Sequence, residues 1–239
     1  MYRLLIALPL TLLTYSGPAD AAGPKPKPPV AAAPMSEQAQ SSYALGLDAG
    51  LQLKSLGVEI NLDALLAGMK DALTGATARL TETERGKALD AVQQKVYAVQ
   101  QARVAQITER NQTQGAAFLK ANGAKPGVVT LPSGLQYEIM TAGTGAKPGA
   151  VDSVTCDYRG ALIDGTEFDS SYARGRPATF RIQGLIKGWA EALPLMPVGS
   201  KWRLVVPADL AYGAKGSGDK IGPMAVLVFE IELRSIQAG

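Results

Sequence analysis

The chain has 239 residues, of which 46% are hydrophobic and 19% charged, with a formal net charge of +3. The length leaves room for two folded units with a real core, and the charge is too small to mark a nucleic-acid or membrane-surface protein. Histidine is absent and Cys156 is the one cysteine, which excludes Ser-His-Asp and Cys-His catalysis, an internal disulfide and a cysteine-built zinc site.

Residues 1–21 read as a secretory signal: Arg3 is the basic flank, Leu4 to Leu13 the apolar stretch, and Ala19-Asp20-Ala21 the small-residue cleavage site. The apolar run is too short to span a bilayer, so no integral membrane segment is expected after cleavage. A buried N-terminal helix is the alternative, disfavoured because KPKPP follows at once. An exported protein is therefore expected, in the periplasm or presented at the outer membrane or cell surface. Residues 22–35 contain GPKPKPPVAAAP, a composition that predicts an extended tether.

Helical patterning begins near Ser36. Tyr43, Leu45, Leu47, Leu51, Leu53 and Leu56 fall in one helical segment that Gly57 ends. Asn61 caps LDALLAGMKDALT, and Gly75 closes it. Thr81 to Glu84, TETE, is a capping box opening a third helix that meets no proline before Pro126. From Thr81 to Asn122 it would be about 60 Å long. Leu89, Val92, Val96 and Val99 repeat in a 3-4-3 pattern, the seam of a coiled coil, and residues 100–114 are polar on nearly every face. Three such helices hold too little to bury their own faces, so association with a second copy through residues 36–100 is expected; a small monomeric bundle is the alternative.

After Gly123 the apolar period changes from 3.6 to 2. GLQYEIM, SVTCDYRGAL, PATFRIQ, KWRLVVP and MAVLVFEIEL read as strands, Asp164-Gly165 as a hairpin turn, and Ile186 to Leu193 as a short helix. The fold class is α+β: an N-terminal all-α region (36–80), a long connecting helix (81–123) and an antiparallel sheet domain with one helix (124–239). GTGAKPG and GAKGSGDKIG match no phosphate-binding spacing and read as surface loops. Asn111-Gln112-Thr113 matches a glycosylation sequon but falls within the third helix. What remains is aromatic: Tyr158, Phe168, Phe180, Trp189, Tyr212 and Phe229, with Asp169 beside one of them. Each alone reads as core, whereas together they suit an apolar pocket with a few polar groups.

VTCDYRGALIDGTEFDSSYARGRPATFRI, GLIKGWAEALPLMPVGSKWRLVVPADLAYG and MAVLVFEIELRSI, over residues 134–236, resemble the FKBP-type peptidyl-prolyl isomerases. The segment SYALGLDAGLQLKSLGVEINLDALLAGMKDALTG is similar to the dimerisation domain of the subgroup containing the macrophage infectivity potentiator and its periplasmic relatives. The resemblance implies an antiparallel half-barrel of five or six strands wrapped on a short helix, acting without cofactor or metal on X–Pro bonds of unfolded or proline-containing exported polypeptides. It implies a homodimer and inhibition by rapamycin-type macrolides. Carried over residue by residue, it makes Asp169, Tyr212, Trp189 and Phe168 catalytic. Trp189 is the floor under the proline ring, and the Tyr212 hydroxyl and the Ile186 N–H bind substrate carbonyls. Tyr158, Phe180, Leu185, Ile221 and Phe229 join Ile186 in binding substrate, and Arg174 sits where a partner for the aspartate is often found. Ala178, Asp157 and the Gly222-Pro223-Met224 tip depart from the family pattern and bear on peptide preference. The alternative reading is a holdase chaperone in which the pocket recognises proline and catalysis is residual; a structural dimer with an inert fold is a third.

Overall fold

The computed structural model of the chain describes residues 35–239; the expected signal segment and the tether up to residue 34 lie outside them. The described residues divide into two compact units, with the boundary between Gln52 and Leu53.

Three helices come first: α1 (Glu37–Ser55), α2 (Leu62–Thr74) and α3 (Glu82–Gly123). Their ends follow from local chemistry. Asn61 accepts the Ala64 N–H at 2.9 Å, and Gly75, in the left-handed conformation, ends α2. At α3 the Thr81 hydroxyl accepts from the Glu84 N–H and the Glu84 carboxylate accepts from the Thr81 N–H, so the expected capping box is formed. Neither α1 nor α2 contains a buried residue. Leu45, Leu47, Leu51, Leu62, Leu66 and Leu73 are all exposed, as are Leu89 and Val92 of the α3 seam.

Seven strands follow: β1 (Val128–Thr130), β2 (Gln136–Thr141), β3 (Ser153–Leu162), β4 (Glu167–Ser170), β5 (Ala178–Arg181), β6 (Lys201–Val206) and β7 (Leu227–Gln237). They form one antiparallel sheet in the order β1-β2-β6-β7-β3-β4, with β5 also on β3. The count exceeds the expected five or six because the free edge of β3 is shared by two short strands and because β1 adds an edge to β2. β1 has three residues, too short for any alternation to be read. β7 begins three residues later than expected, because Met224 has φ +56° and belongs to the preceding loop.

Alternate residues of the central strands face one core. Leu227, Phe229, Ile231 and Leu233 of β7 are buried while their neighbours are not, and Tyr158 and Gly160 of β3 stand opposite Ile231 and Phe229. The short helix α4 (Lys187–Ala192) buries Gly188, Trp189 and Ala192 in that core. It approaches so closely that a Cβ on Gly188 would lie 2.5 Å from Val206 Cγ1. That contact accounts for the glycine before Trp189.

The end of α3 is fixed to the outer side of the sheet by amides. Asn122 Nδ2 donates to Gln136 Oε1 at 2.9 Å, Gln136 Nε2 donates to the Leu119 carbonyl at 2.9 Å, and Arg203 donates to Asn122 Oδ1 at 3.1 Å. Asn122 and Gln136 are both buried, and these three bonds give each amide a donor partner and an acceptor partner.

Candidate active site

Trp189 is the centre of a box of rings. Its indole is edge-on to Tyr158 (centroids 5.3 Å), Phe180 (5.7 Å) and Phe229 (5.3 Å), and Phe229 is in turn edge-on to Phe168 (5.6 Å). These T-shaped contacts set the rings at fixed angles and leave a concavity between them. Tyr158 comes from the middle of β3, Phe168 from β4, Phe180 from β5 and Phe229 from β7, so four strands and α4 each supply one ring. Gly160 makes the box compatible with the sheet: a Cβ there would stand 2.7 Å from Phe168 and 2.8 Å from Phe229.

The resulting cavity is about 230 Å³ and open to solvent, lined by these five aromatics with Asp169, Gly184, Leu185, Ile186 and Tyr212. Every residue expected at the site is therefore brought to one cavity except Ile221. Its N–H and carbonyl pair with Ser217 at 3.2 and 2.8 Å, which folds the loop tightly and turns Ile221 into the core, 7% exposed. Ile221 does not line the cavity. Ala178 shares a face of β5 with Phe180 and likewise stays off the lining, so that rim carries no ring. A larger cleft, about 470 Å³, lies between α3 and the 219–226 segment and contains none of the rings.

The polar groups form a connected set on one wall. The Tyr158 hydroxyl donates to Asp169 Oδ2 at 2.5 Å, and Arg174 donates to Asp169 Oδ1 and, at 2.7 Å, to the Tyr158 oxygen. The Arg174 guanidinium also lies 5.3 Å from the Tyr158 ring centre. Burial pushes the Asp169 carboxyl up. The hydrogen bonds from Tyr158 and Arg174, the guanidinium charge and the Ser170 N–H outweigh it and hold the group below the ordinary carboxylate range. Burial and the hydrogen bond to Asp169 raise the Tyr158 phenol above its ordinary value, against the opposing effect of Arg174. Behind this wall Ser171 accepts the Tyr158 N–H at 2.8 Å and donates to Asp157, which is paired with Arg234 at 2.9 Å. Asp157, one of the departures from the family pattern, thus faces this buried network.

Elsewhere in the lining, the Tyr212 hydroxyl, the Ile186 N–H and the buried Trp189 Nε1 have no partner among the described residues. Two contacts had no sequence signal. Gly184 joins the lining, and Lys220 Nζ donates to the Phe168 carbonyl at 3.3 Å.

An apolar cavity ringed by aromatics, with no histidine and an anion already fully engaged, holds no evident proton shuttle or nucleophile. Comparison with known proteins agrees with that chemistry. Residues 144–234 match the model of the FKBP-type peptidyl-prolyl cis-trans isomerase domain, and residues 38–139 match the domain amino-terminal to it. The outer membrane protein MIP of Legionella longbeachae is 50% identical over 82% of this chain and 84% of its own. The chain belongs to the FKBP-type peptidyl-prolyl cis-trans isomerases. The FKBP-type 22 kDa peptidyl-prolyl cis-trans isomerase of Escherichia coli strain K12 is 45% identical over 83% of this chain and 95% of its own. The crystal structure of FkpA from Escherichia coli superimposes with a TM-score of 0.70 at 35% identity, covering 85% of this chain and 98% of that one. The activity of this FKBP-type chain is peptidyl-prolyl cis-trans isomerisation, and its architecture is the helical region, long helix and antiparallel sheet of the family.

Proposed function

We propose that the cavity over Trp189 is where the X–Pro bond of an exported polypeptide turns, by non-covalent stabilisation of the twisted amide. Rotation is slow because resonance gives the C–N bond partial double character and a barrier of about 18–20 kcal/mol. At the transition state that resonance is lost. An apolar cavity favours the twisted state, because the charge-separated resonance form of the planar amide is disfavoured in a low dielectric. Trp189 holds the proline ring from below, and Phe168, Phe180 and Phe229 fix its sides. The Tyr212 hydroxyl and the Ile186 N–H orient the flanking carbonyls, and Asp169 with Tyr158 presents a fixed dipole along the path of the preceding carbonyl. The interactions are stronger in the twisted geometry than in either planar one, which is what accelerates a reaction. The observation that carries this reading is the ring box around Trp189 with the unpartnered Tyr212 hydroxyl and Ile186 N–H in its lining.

The same reading divides the chain into a dimerisation region at 36–80, a connecting helix at 81–123 and an isomerase domain at 124–239. Two copies would meet through residues 36–100, which supplies a cover for the exposed leucines of α1, α2 and the α3 seam. We place the mature protein outside the inner membrane, in the periplasm. The Legionella relative is named an outer membrane protein, and among the described residues no helix is long and apolar enough to cross a membrane.

The test is cis-to-trans turnover of a Leu-Pro or Phe-Pro peptide by the mature chain, with and without a rapamycin-type macrolide. Turnover abolished by the macrolide supports the assignment to this cavity. Turnover that persists with the macrolide bound, or no turnover at all, overturns it. In the latter case proline holding becomes the function of the pocket.

A further inference from the structure

The long helix α3 touches the loop beside the cavity at three successive positions on one face. A Cβ on Gly222 would stand 3.0 Å from Ile107 Cγ2 and 3.2 Å from Asn111 Nδ2, and a Cβ on Gly115 would stand 2.8 Å from Val226 Cγ2. Ile107, Asn111 and Gly115 are spaced four residues apart, so they form a single ridge. Between them is a specific bond: Asn111 Nδ2 donates to the Pro223 carbonyl at 2.7 Å, in a partly buried setting. The asparagine that the sequon match singled out is therefore engaged within the fold.

The segment held this way is the one that needs holding. Met224, next to Pro223, has φ +56°, in the left-handed region that favours glycine. Such a conformation persists only where its surroundings impose it. Its N–H donates to the Gly213 carbonyl at 2.8 Å, and Gly213 follows Tyr212, the cavity wall whose hydroxyl is unpartnered. On the other side of the same loop, Lys220 is tied to the Phe168 carbonyl. A continuous path of contacts thus runs from Asn111 through Pro223, Met224 and Gly213 to Tyr212.

We propose that Asn111 is a positioning residue for the isomerase site: from the connecting helix it fixes the 222–224 segment, and through the Met224–Gly213 bond it sets Tyr212 against the substrate. The proposal rests on the isomerase reading of the cavity. The connecting helix is then part of the active-site scaffold, and the substrate side of the cavity depends on a residue that precedes the sheet domain in sequence. The requirement is chemical as well as steric. Aspartate has the size of asparagine but, ionised, donates no hydrogen bond and sets a charge against the Pro223 oxygen; leucine fills the space and donates nothing.

The experiment compares the full mature chain with Asn111→Asp, Asn111→Leu and, as a control on the exposed side of α3, Gln112→Ala. KM and kcat for a Leu-Pro peptide are measured beside amide hydrogen exchange at Met224 and, as a fold reference, at Leu204 of β6. Both Asn111 variants should raise KM about two- to tenfold, the range for losing one hydrogen bond, with a smaller change in kcat. Exchange at Met224 should quicken by a similar factor while Leu204 and the Gln112→Ala control stay at wild-type values. An unchanged KM or unchanged Met224 exchange in Asn111→Asp overturns the proposal. Should the wild-type chain lack turnover, the isomerase reading fails by itself; the Kd for a rapamycin-type macrolide then replaces KM and, with Met224 exchange, decides the clamp.

Discussion

The Tyr158 hydroxyl donates to the Asp169 carboxylate at 2.5 Å while Arg174 donates to both residues, so the one acid in the cavity has its charge fixed from two sides. The consequence is a site with nothing to titrate near neutrality. Asp169 is held below the ordinary carboxylate range and Tyr158 above the ordinary phenol range. A carboxyl whose folded pKa is depressed stays ionised throughout the neutral range and adds stability there. That contribution is present above its unfolded pKa and is lost as the pH falls through the folded one. It is small, because the side chain is 42% exposed. The ratio kcat/KM should therefore be flat from about pH 5.5 to about pH 9 and fall only in acid. A bell-shaped profile centred near neutrality would show that a titrating group takes part.

Removing single polar groups from the cavity should separate turnover from stability. Tyr212→Phe deletes the unpartnered hydroxyl of a residue that is 39% exposed, a group the fold does not use, so kcat/KM should fall about two- to tenfold with Tm unchanged. Asp169→Val removes an ionised acceptor and leaves Tyr158 and Arg174 without it, which should cost about ten- to a hundredfold in kcat/KM. Steady-state kinetics beside thermal melts distinguish these outcomes. Wild-type kcat/KM in both variants would remove the cavity from the mechanism.

Gly160→Ala tests the ring box itself. The added methyl meets Phe168 at 2.7 Å and Phe229 at 2.8 Å, and both rings belong to the site. The rings must turn or β3 must shift, at a cost of about 1–3 kcal/mol. The expected result is a lowered Tm together with weaker macrolide binding by titration calorimetry. Gly165→Ala in the hairpin turn lowers Tm as well, since Gly165 has φ +88°, but it leaves macrolide affinity at the wild-type value.

Much of this was readable before any coordinates. The helix ends at Asn61, Gly75 and Thr81 were legible because a cap is a local contract between a side chain and N–H groups two or three residues away. The face of β7 was legible because burial alternates cleanly along it, whereas β3 and β6 each bury three residues in a row and were legible by their apolar content and length. The ring set was legible through the order of its motifs. The turn that buries Ile221 beside the rings has a tertiary cause, its pairing with Ser217, which no periodicity reveals. Likewise β1 was too short to signal, and the Asn111–Pro223 bond joins residues 112 apart in sequence, so only the fold brings them together.

Cys156 should behave as an inert hydrophobe. It is fully buried in β3, and burial followed by the neighbouring Asp157 charge pushes its thiol up to about 12. At pH 8 the folded chain should react with a thiol reagent such as dithionitrobenzoate only through opening of the sheet. Labelling should be slow in buffer and complete within minutes in concentrated guanidinium. Fast labelling of the native chain would mean that β3 opens readily. Cys156→Ala should leave turnover at the wild-type level while lowering stability through a small cavity.

The exposed leucines of the helical region predict the assembly state. Neither α1 nor α2 buries a residue, and Leu45, Leu47, Leu66 and Leu73 are at least half exposed, an arrangement that water does not favour. A stable interface buries about 1,200–2,000 Å² in total. Burying these side chains against a second copy is a route to it. Light scattering of the mature chain at micromolar concentration should return the mass of a dimer, and Leu45→Glu combined with Leu66→Glu should return a monomer. The cavity over Trp189 is built from one chain, so turnover of a short peptide per active site should survive this change. Refolding of a denatured protein client should suffer, as expected where a proposed pairing of two cavities on one client is lost. A wild-type monomer, or a dimer that withstands both charges, would place the partner of these helices elsewhere.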